Sequence, residues 1–163
     1  MTTTQKWLLG ITAALGLYWI VKKKKLADNL EFELVSVDNF NFGLGGVSFT
    51  ANLRFHNPRT ASVKIKHPKL QVYFSVNGEE KFIGATAPNN SLIPIPANSA
   101  VDVSLDFSAT SMQTLTLIPS IMQAMQGNQN VEIVLKIYTG IEGTDLPVII
   151  EKFPITGEGA PQP

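Results

Sequence analysis

The sequence has no cysteine, which excludes both a disulfide framework and thiolate chemistry. Charge is sparse as well. Asp, Glu, Lys and Arg make up 16% of the 163 residues against 44% hydrophobic residues, a balance that excludes a disordered chain. Histidine occurs twice, as His56 and His67, and neither has a carboxylate at metal-ligand spacing, so both read as surface residues. There is no G-x-S-x-G nucleophile elbow. Gly43-Leu44-Gly45-Gly46 has the glycine content of a phosphate loop, but neither a Lys-Ser/Thr pair nor a helix follows it. Glu79-Glu80 reads as a solvated hairpin tip. Asp102 and Asp106 share the outer face of one strand four residues apart, too far for an acid–base pair. With no constellation of this kind, the chain is expected to be no enzyme and to use no cofactor or metal.

Acids are also missing from residues 1–25, which hold five lysines, Lys6 and Lys22 to Lys25. All 13 Asp and Glu lie in 26–163 with the remaining eight cations, giving that part a net charge of about −5. A negative domain neutralises phosphates poorly, so nucleic acid is not expected as its partner. Between the lysines runs Trp7, Leu8, Leu9, Gly10, Ile11 and on through Leu15, Leu17, Tyr18, Trp19, Ile20 and Val21 without a charge. Fifteen helical residues rise about 22 Å, short of a hydrocarbon core of about 30 Å. Uncharged Thr2 to Gln5 extend the span, and lysines at both ends can snorkel. A cleaved signal peptide would show small residues after the apolar run, not four lysines. An amphipathic surface helix would need a polar face. The expectation is a single-pass anchor, 1–25, in a lipid bilayer. Lys22, Lys23, Lys24 and Lys25 would meet anionic headgroups and hold the C-terminal domain on the cytoplasmic, or virion-internal, side.

Residues 26–156, enough for one domain with its own core, read as strands of similar spacing, followed by a loose tail, 157–163. Leu30 to Phe42 is β-branched and aromatic. Val47 to Phe55 alternates apolar and polar residues strictly, which gives one buried and one wet face. Asn57-Pro58 stops that strand. Val63, Lys64, Ile65 and Lys66 form a short strand placed at a sheet edge because Pro68 follows. Leu70 to Val76 and Glu79 to Ala85 flank Asn77-Gly78, a type I′ hairpin signal, with Gly84 as a bulge. Leu92, Ile93 and Ile95, interrupted by Pro94 and Pro96, form a second edge-like segment. Val101 to Phe107, Val131 to Ile137 and Val148 to Ile155 complete the strands. Met112, Leu115, Ile118 or Pro119, Met122 and Met125 recur at helical spacing, and Pro119 predicts a kink or two pieces. The methionines read as core packing, with a Met-rich docking groove as the alternative. Seven or eight strands with one helical insertion point to a mainly β, antiparallel two-sheet sandwich of the immunoglobulin or fibronectin-III kind.

The order of these signals resembles the LEA type 2 or WHy domain family (LEA14-like). The matching features are the strand ending in Asn57-Pro58, Val63-Lys64-Ile65, and the Tyr73 to Gly78 hairpin. Gly84, the Ile95-Pro96-Ala97-Asn98-Ser99 lead-in and the Val101 to Phe107 strand follow in order. The likeness covers roughly 45–155, and Pro68 and the short lead-in after the apolar segment depart from it. The resemblance implies a seven-stranded sandwich with a helix, often behind a membrane anchor, with no known enzymatic activity.

Three functions fit. One is a membrane-anchored structural or interaction module, meeting a protein partner or assembling with itself through the edges Val63–Lys66 and Leu92–Ile95, including within a membrane-containing virion. The second is stress protection of the LEA kind, shielding membranes or proteins during water loss. The third, a ligand-carrying sandwich, is weakened by the lack of large inward aromatics in excess.

Overall fold

A computed structural model describes residues 23–27 and 30–155, and of 23–27 and Ile155 only the backbone. Twelve strands and one helix follow in order: β1 (Lys23–Ala27), β2 (Leu30–Gly43), β3 (Gly46–Asn57), β4 (Val63–Lys66), β5 (Lys69–Val76), β6 (Glu79–Ala85), β7 (Leu92–Ile95), β8 (Ser99–Ala109), α1 (Met112–Gln126), β9 (Val131–Tyr138), β10 (Gly140–Ile141), β11 (Thr144–Asp145) and β12 (Ile149–Ile155). Every pairing is antiparallel, in three four-stranded sheets ordered β1-β2-β3-β8, β11-β10-β4-β7 and β12-β9-β5-β6. Among the described residues the protein is therefore mainly β with one helix, as expected. The strand count exceeds the expected seven or eight because β1 lies within the lysine cluster, β10 and β11 are two-residue pieces inside a glycine turn, and the edge-like segment Leu92–Ile95 is a strand of its own.

The strict alternation of β3 sets the core. Val47, Phe49, Ala51, Leu53 and Phe55 are buried, and the residues between them are half-exposed on the other face. Directly opposite stand Val103, Leu105 and Phe107 of β8, also buried. From the other large sheet come Leu70, Val72 and Phe74 of β5 with Ile133, Leu135 and Ile137 of β9. The Phe42 and Phe74 rings meet at 5.3 Å, one from each large sheet, in the range of a favourable tilted aromatic pair. The two sheets thus face each other across one core.

Local rules account for most joints. Asn77 and Gly78 both have positive φ (51° and 87°), as a type I′ turn requires. The bulge expected near Gly84 is present: Val72 pairs with Gly84 and Tyr73 with Phe82, leaving Ile83 extra. A side chain at Gly84 would press on Ala109 Cβ (3.2 Å) and Phe107 Cζ (3.3 Å), so β6 approaches β8 there closely. The uneven alternation of β2 reflects two irregularities, at Leu34/Ser36 and Asp38/Asn41, the second with Asn39 at φ 55°.

Ser111 caps α1, its Oγ accepting from Thr114 N at 3.2 Å. One alternative for α1 is corrected. Pro119 does not divide the helix in two, and it lies on the exposed face, where the Leu115 carbonyl it leaves unbonded can meet water. The buried stripe is Thr114, Ile118, Ile121, Ala124 and Met125, with Leu115 and Met122 packed against the core beside it, so the expected phase fails only at Met112. Met125 is core, Met122 half-buried, and Met112 77% exposed. The Thr114 hydroxyl donates to Ile83 O at 2.9 Å and ties the first turn to β6.

Trp7, Leu8, Leu9, Ile11, Leu15, Leu17, Tyr18, Trp19, Ile20, Val21 and Lys22 lie outside the described residues. Lys23, Lys24 and Lys25 belong to β1, whose register sets Lys23 opposite Glu33 and Lys25 opposite Glu31. The folded sheet thus begins inside the lysine cluster. Among the described residues no helix is long and apolar enough to cross a membrane.

Candidate interaction surfaces

Asn57, the last residue of β3, organises one end of the molecule. It is fully buried. Its Nδ2 donates to Ala61 O (2.9 Å), Ile95 O (3.2 Å) and Pro96 O (3.2 Å), and its Oδ1 accepts from Arg59 N (3.1 Å). The Asn-Pro corner is therefore more than a strand stop: one amide fastens the turn after β3 to the end of β7. Asn98, at φ 52°, adds a backbone bond to Arg59 O at 3.0 Å.

The two expected edges fare differently. Val63, Lys64, Ile65 and Lys66 are not an edge. β4 lies between β7, which pairs along its full length, and β10, which meets it at Ile65–Ile141. Pro68 sits beyond the last paired residue, where no ladder N–H is needed, so it leaves β4 free to be an inner strand. Leu92, Ile93, Pro94 and Ile95 do end their sheet. His67 N donates to Ser91 O at 3.0 Å, which puts the bonded pairs at Ile65–Ile93 and Val63–Ile95. Leu92 and Pro94 then turn outward, and only Leu92 carries an N–H, so this edge offers one donor.

The outer face of the β1-β2-β3-β8 sheet is polar. Register sets Glu33, Arg54 and Asp102 in one row and Glu31, His56 and Ala100 in the next. Arg54 holds Asp102 through two bonds (Nε–Oδ1 2.7 Å, Nη2–Oδ2 3.2 Å), and His56 Nδ1 lies 3.2 Å from Glu31 Oε2. Thr50 donates to Asp106 at 2.8 Å, and Asn52 bridges Asp38 (2.7 Å) and Ser104 (2.6 Å). Asp102 and Asp106 are thus held by β3 partners, and both histidines are half-exposed. The hydrogen bond from Arg54 holds the Asp102 carboxyl below the ordinary carboxylate range. A lowered folded-state value means the contribution exists above the unfolded value and is lost as pH falls through the folded one. Asp102→Asn is therefore expected to lower the urea midpoint slightly at pH 7, and its curve should converge on that of the unsubstituted protein as pH falls below the ordinary carboxylate range.

The opposite outer face, on β12-β9-β5-β6, carries a cluster that the sequence reading missed. Tyr73 pairs with Phe82 on one side and Val134 on the other, and Val134 with Lys152. The Tyr73 and Phe82 rings meet edge to face at 5.4 Å. Lys136 Nζ lies 4.3 Å over the Tyr73 ring and 2.7 Å from Glu80 Oε2, and that bond raises its pKa. Val134 is fully buried although it faces outward, while Phe82 and Ile150 are 45% and 46% exposed. One signal for the cluster was present: Tyr73 falls out of phase with inward Leu70, Val72 and Phe74.

Among the described residues no buried side-chain polar atom lacks a hydrogen bond, and no group of three His, Asp or Glu could hold a metal.

Among the described residues the architecture is mainly β, antiparallel, with one helix packed on the sheets. No family model and no curated protein matches its sequence. Solved structures do match. A protein from Archaeoglobus fulgidus aligns with 83% of this chain and 97% of its own at 12% identity and a TM-score of 0.50. AT1g01470 from Arabidopsis thaliana aligns with 85% and 88% at 18% identity and 0.49. At2g46140.1, described as a candidate late embryogenesis abundant (LEA) protein, aligns with 80% and 73% at 14% identity and 0.35. At 12% identity the likeness to the Archaeoglobus fulgidus protein is one of fold.

Proposed function

We propose that the chain is a non-enzymatic interaction module on a LEA type 2-like, fibronectin-III-like sandwich, tethered to a bilayer by its apolar segment 7–21. The observation that carries the reading is the outer-face cluster of Tyr73, Phe82, Lys136 and Glu80. Exposed aromatic side chains on a rigid sheet are of the kind enriched at protein-binding interfaces, and the Lys136–Glu80 pair supplies a polar rim. The edge strand β7 is a weaker candidate, because Pro94 removes half of its outward donors. Five lysines around an uncharged run support the tether, with the domain on the cytoplasmic or virion-internal side. Protection of the LEA kind is the second reading. It is favoured by the polar face of β1-β2-β3-β8, which is covered with hydrogen-bonding groups.

The test is gentle extraction of the full chain from its native membrane, followed by native mass measurement and identification of every copurifying chain. A fixed stoichiometry that is lost in Phe82→Ser supports the module, whether the partner is a cellular protein or a virion component. A protein that extracts without detergent overturns the tether. A bare monomer in lipid that still protects unrelated client proteins during drying overturns the module in favour of protection.

A further inference from the structure

Five of the eight cations in 26–163 fall between Arg54 and Lys69, and no acid occurs from Asn39 to Gly78. Arg54 is committed to Asp102 on the outer sheet. Others gather elsewhere: Lys66 and Lys69, with His67, Asn89, Asn90 and Tyr138, line an open cleft of about 350 Å³. We propose that this cleft binds the phosphoryl group of a small organic ligand.

The cleft is built from fixed parts. The 86–91 loop is pinned at both ends, by Thr86 N to Leu70 O (2.9 Å) and by His67 N to Ser91 O (3.0 Å). Thr86 Oγ1 also accepts from Leu70 N at 2.9 Å. On the other wall the buried Thr139 hydroxyl donates to Lys66 O at 2.8 Å. The polar groups between these walls are unbalanced toward donors. Asn89 Oδ1 already accepts from Ser91 N at 2.9 Å, so its amide has N–H groups left to offer. Among the described residues neither the Lys69 ammonium nor the Tyr138 hydroxyl has a hydrogen-bond partner. The one carboxylate of the lining, Asp145, is bonded to Lys66 at 2.6 Å and is 85% exposed, so water screens it.

The Lys69 ammonium and the neutral N–H and O–H donors, with Lys66 shared with Asp145, suit an anionic group with three acceptor oxygens. They do not suit a cation, for which the lining has one carboxylate. Half-exposed Leu92 and Pro88 on the rim give the carbon part of a ligand an apolar seat, and the volume lies at the lower end of small-molecule sites. Lys69 and Tyr138 pair on the same outer face as Tyr73, one row beyond Gln71 and Lys136, but none of Tyr73, Phe82, Lys136 and Glu80 lines the cleft.

The experiment is NMR of the isotopically labelled full chain in maltoside micelles, titrated with inorganic phosphate. Saturable shifts are expected at the amides of His67, Lys69, Asn89 and Asn90. Lys69→Gln should weaken binding about tenfold, the effect of losing one charge-assisted hydrogen bond. Tyr138→Phe, which removes only a hydroxyl, should weaken it less, and Lys81→Gln, on β6 opposite Phe74 and outside the cleft, should leave it unchanged. A second arm adds vesicles containing phosphatidic acid. Displacement of phosphate assigns the group to a lipid headgroup, and its absence, with phosphate still bound, assigns it to a soluble phosphorylated molecule. Shifts that do not saturate, or that are the same in a folded Lys69→Gln, overturn the proposal.

Discussion

Replacing Asn57 with alanine is expected to destabilise the protein by roughly 3–4 kcal/mol, read as a lower urea midpoint at unchanged slope. The side chain is fully buried, and its amide is the donor shared by the carbonyls of Ala61, Ile95 and Pro96. Alanine removes that donor and the Oδ1 acceptor of Arg59 N, yet leaves the partner groups in place. The cost is therefore dominated by stranded polar groups, not by the small volume lost. Asn57→Asp should be worse at pH 7. A carboxylate keeps the acceptor for Arg59 N but turns an oxygen toward three carbonyl oxygens and buries a charge. The damage should start locally, because Asn57 is what fastens the end of β7. Hydrogen exchange at Ile93 and Ile95 should accelerate before exchange in β3 does.

The Asn57-Pro58 signal shows how far sequence reaches here. Its role as a stop was legible, because proline ends a ladder and asparagine tolerates a corner. Its role as a clamp was not, since that depends on residues 38 and 39 positions away. The same division runs through the fold. β3, the Asn77-Gly78 turn, the bulge beside Gly84 and the existence of α1 follow from local rules and were legible. Which strands are neighbours does not follow from period two, because alternation marks faces and says nothing of pairing. Hence β4, read as an edge from Pro68, proves to be an inner strand, and β1 is invisible within four lysines. The phase of α1 was legible only in part for a related reason. Its mean apolar content is spread round the helix, so the methionines and the true stripe through Ile118 and Ile121 compete, and packing decides. The Tyr73–Phe82 cluster needed only the observation that two aromatics stand out of phase. What made it a site, Lys136 reaching over the ring to Glu80, lies 56 residues from Glu80 along the chain.

Gly46→Ala should cost about 3–5 kcal/mol, while Gly45→Ala, one residue earlier in the same turn, should be neutral or stabilising by up to about 1 kcal/mol. The two glycines are alike in sequence and opposite in circumstance. Gly46 opens β3 at φ 118°, a conformation L side chains rarely adopt. A Cβ there would also overlap the Ala109 carbonyl oxygen and lie 3.1 Å from Thr110 Cγ2. Ala109 is backbone at the end of β8, paired opposite Val47, so it cannot yield as a flexible side chain would. Relief requires parting β3 from β8 just where the chain turns into α1, two residues before the Ser111 cap. At Gly45 nothing lies within 4 Å and φ is not positive, so alanine meets no wall and only reduces the freedom of the unfolded chain. Urea titrations of the two variants side by side decide the point. Equal midpoints would mean that the β3–β8 end is loose enough to absorb a methyl group, and that the close approach of Gly46 to Ala109 contributes nothing to holding α1 in place.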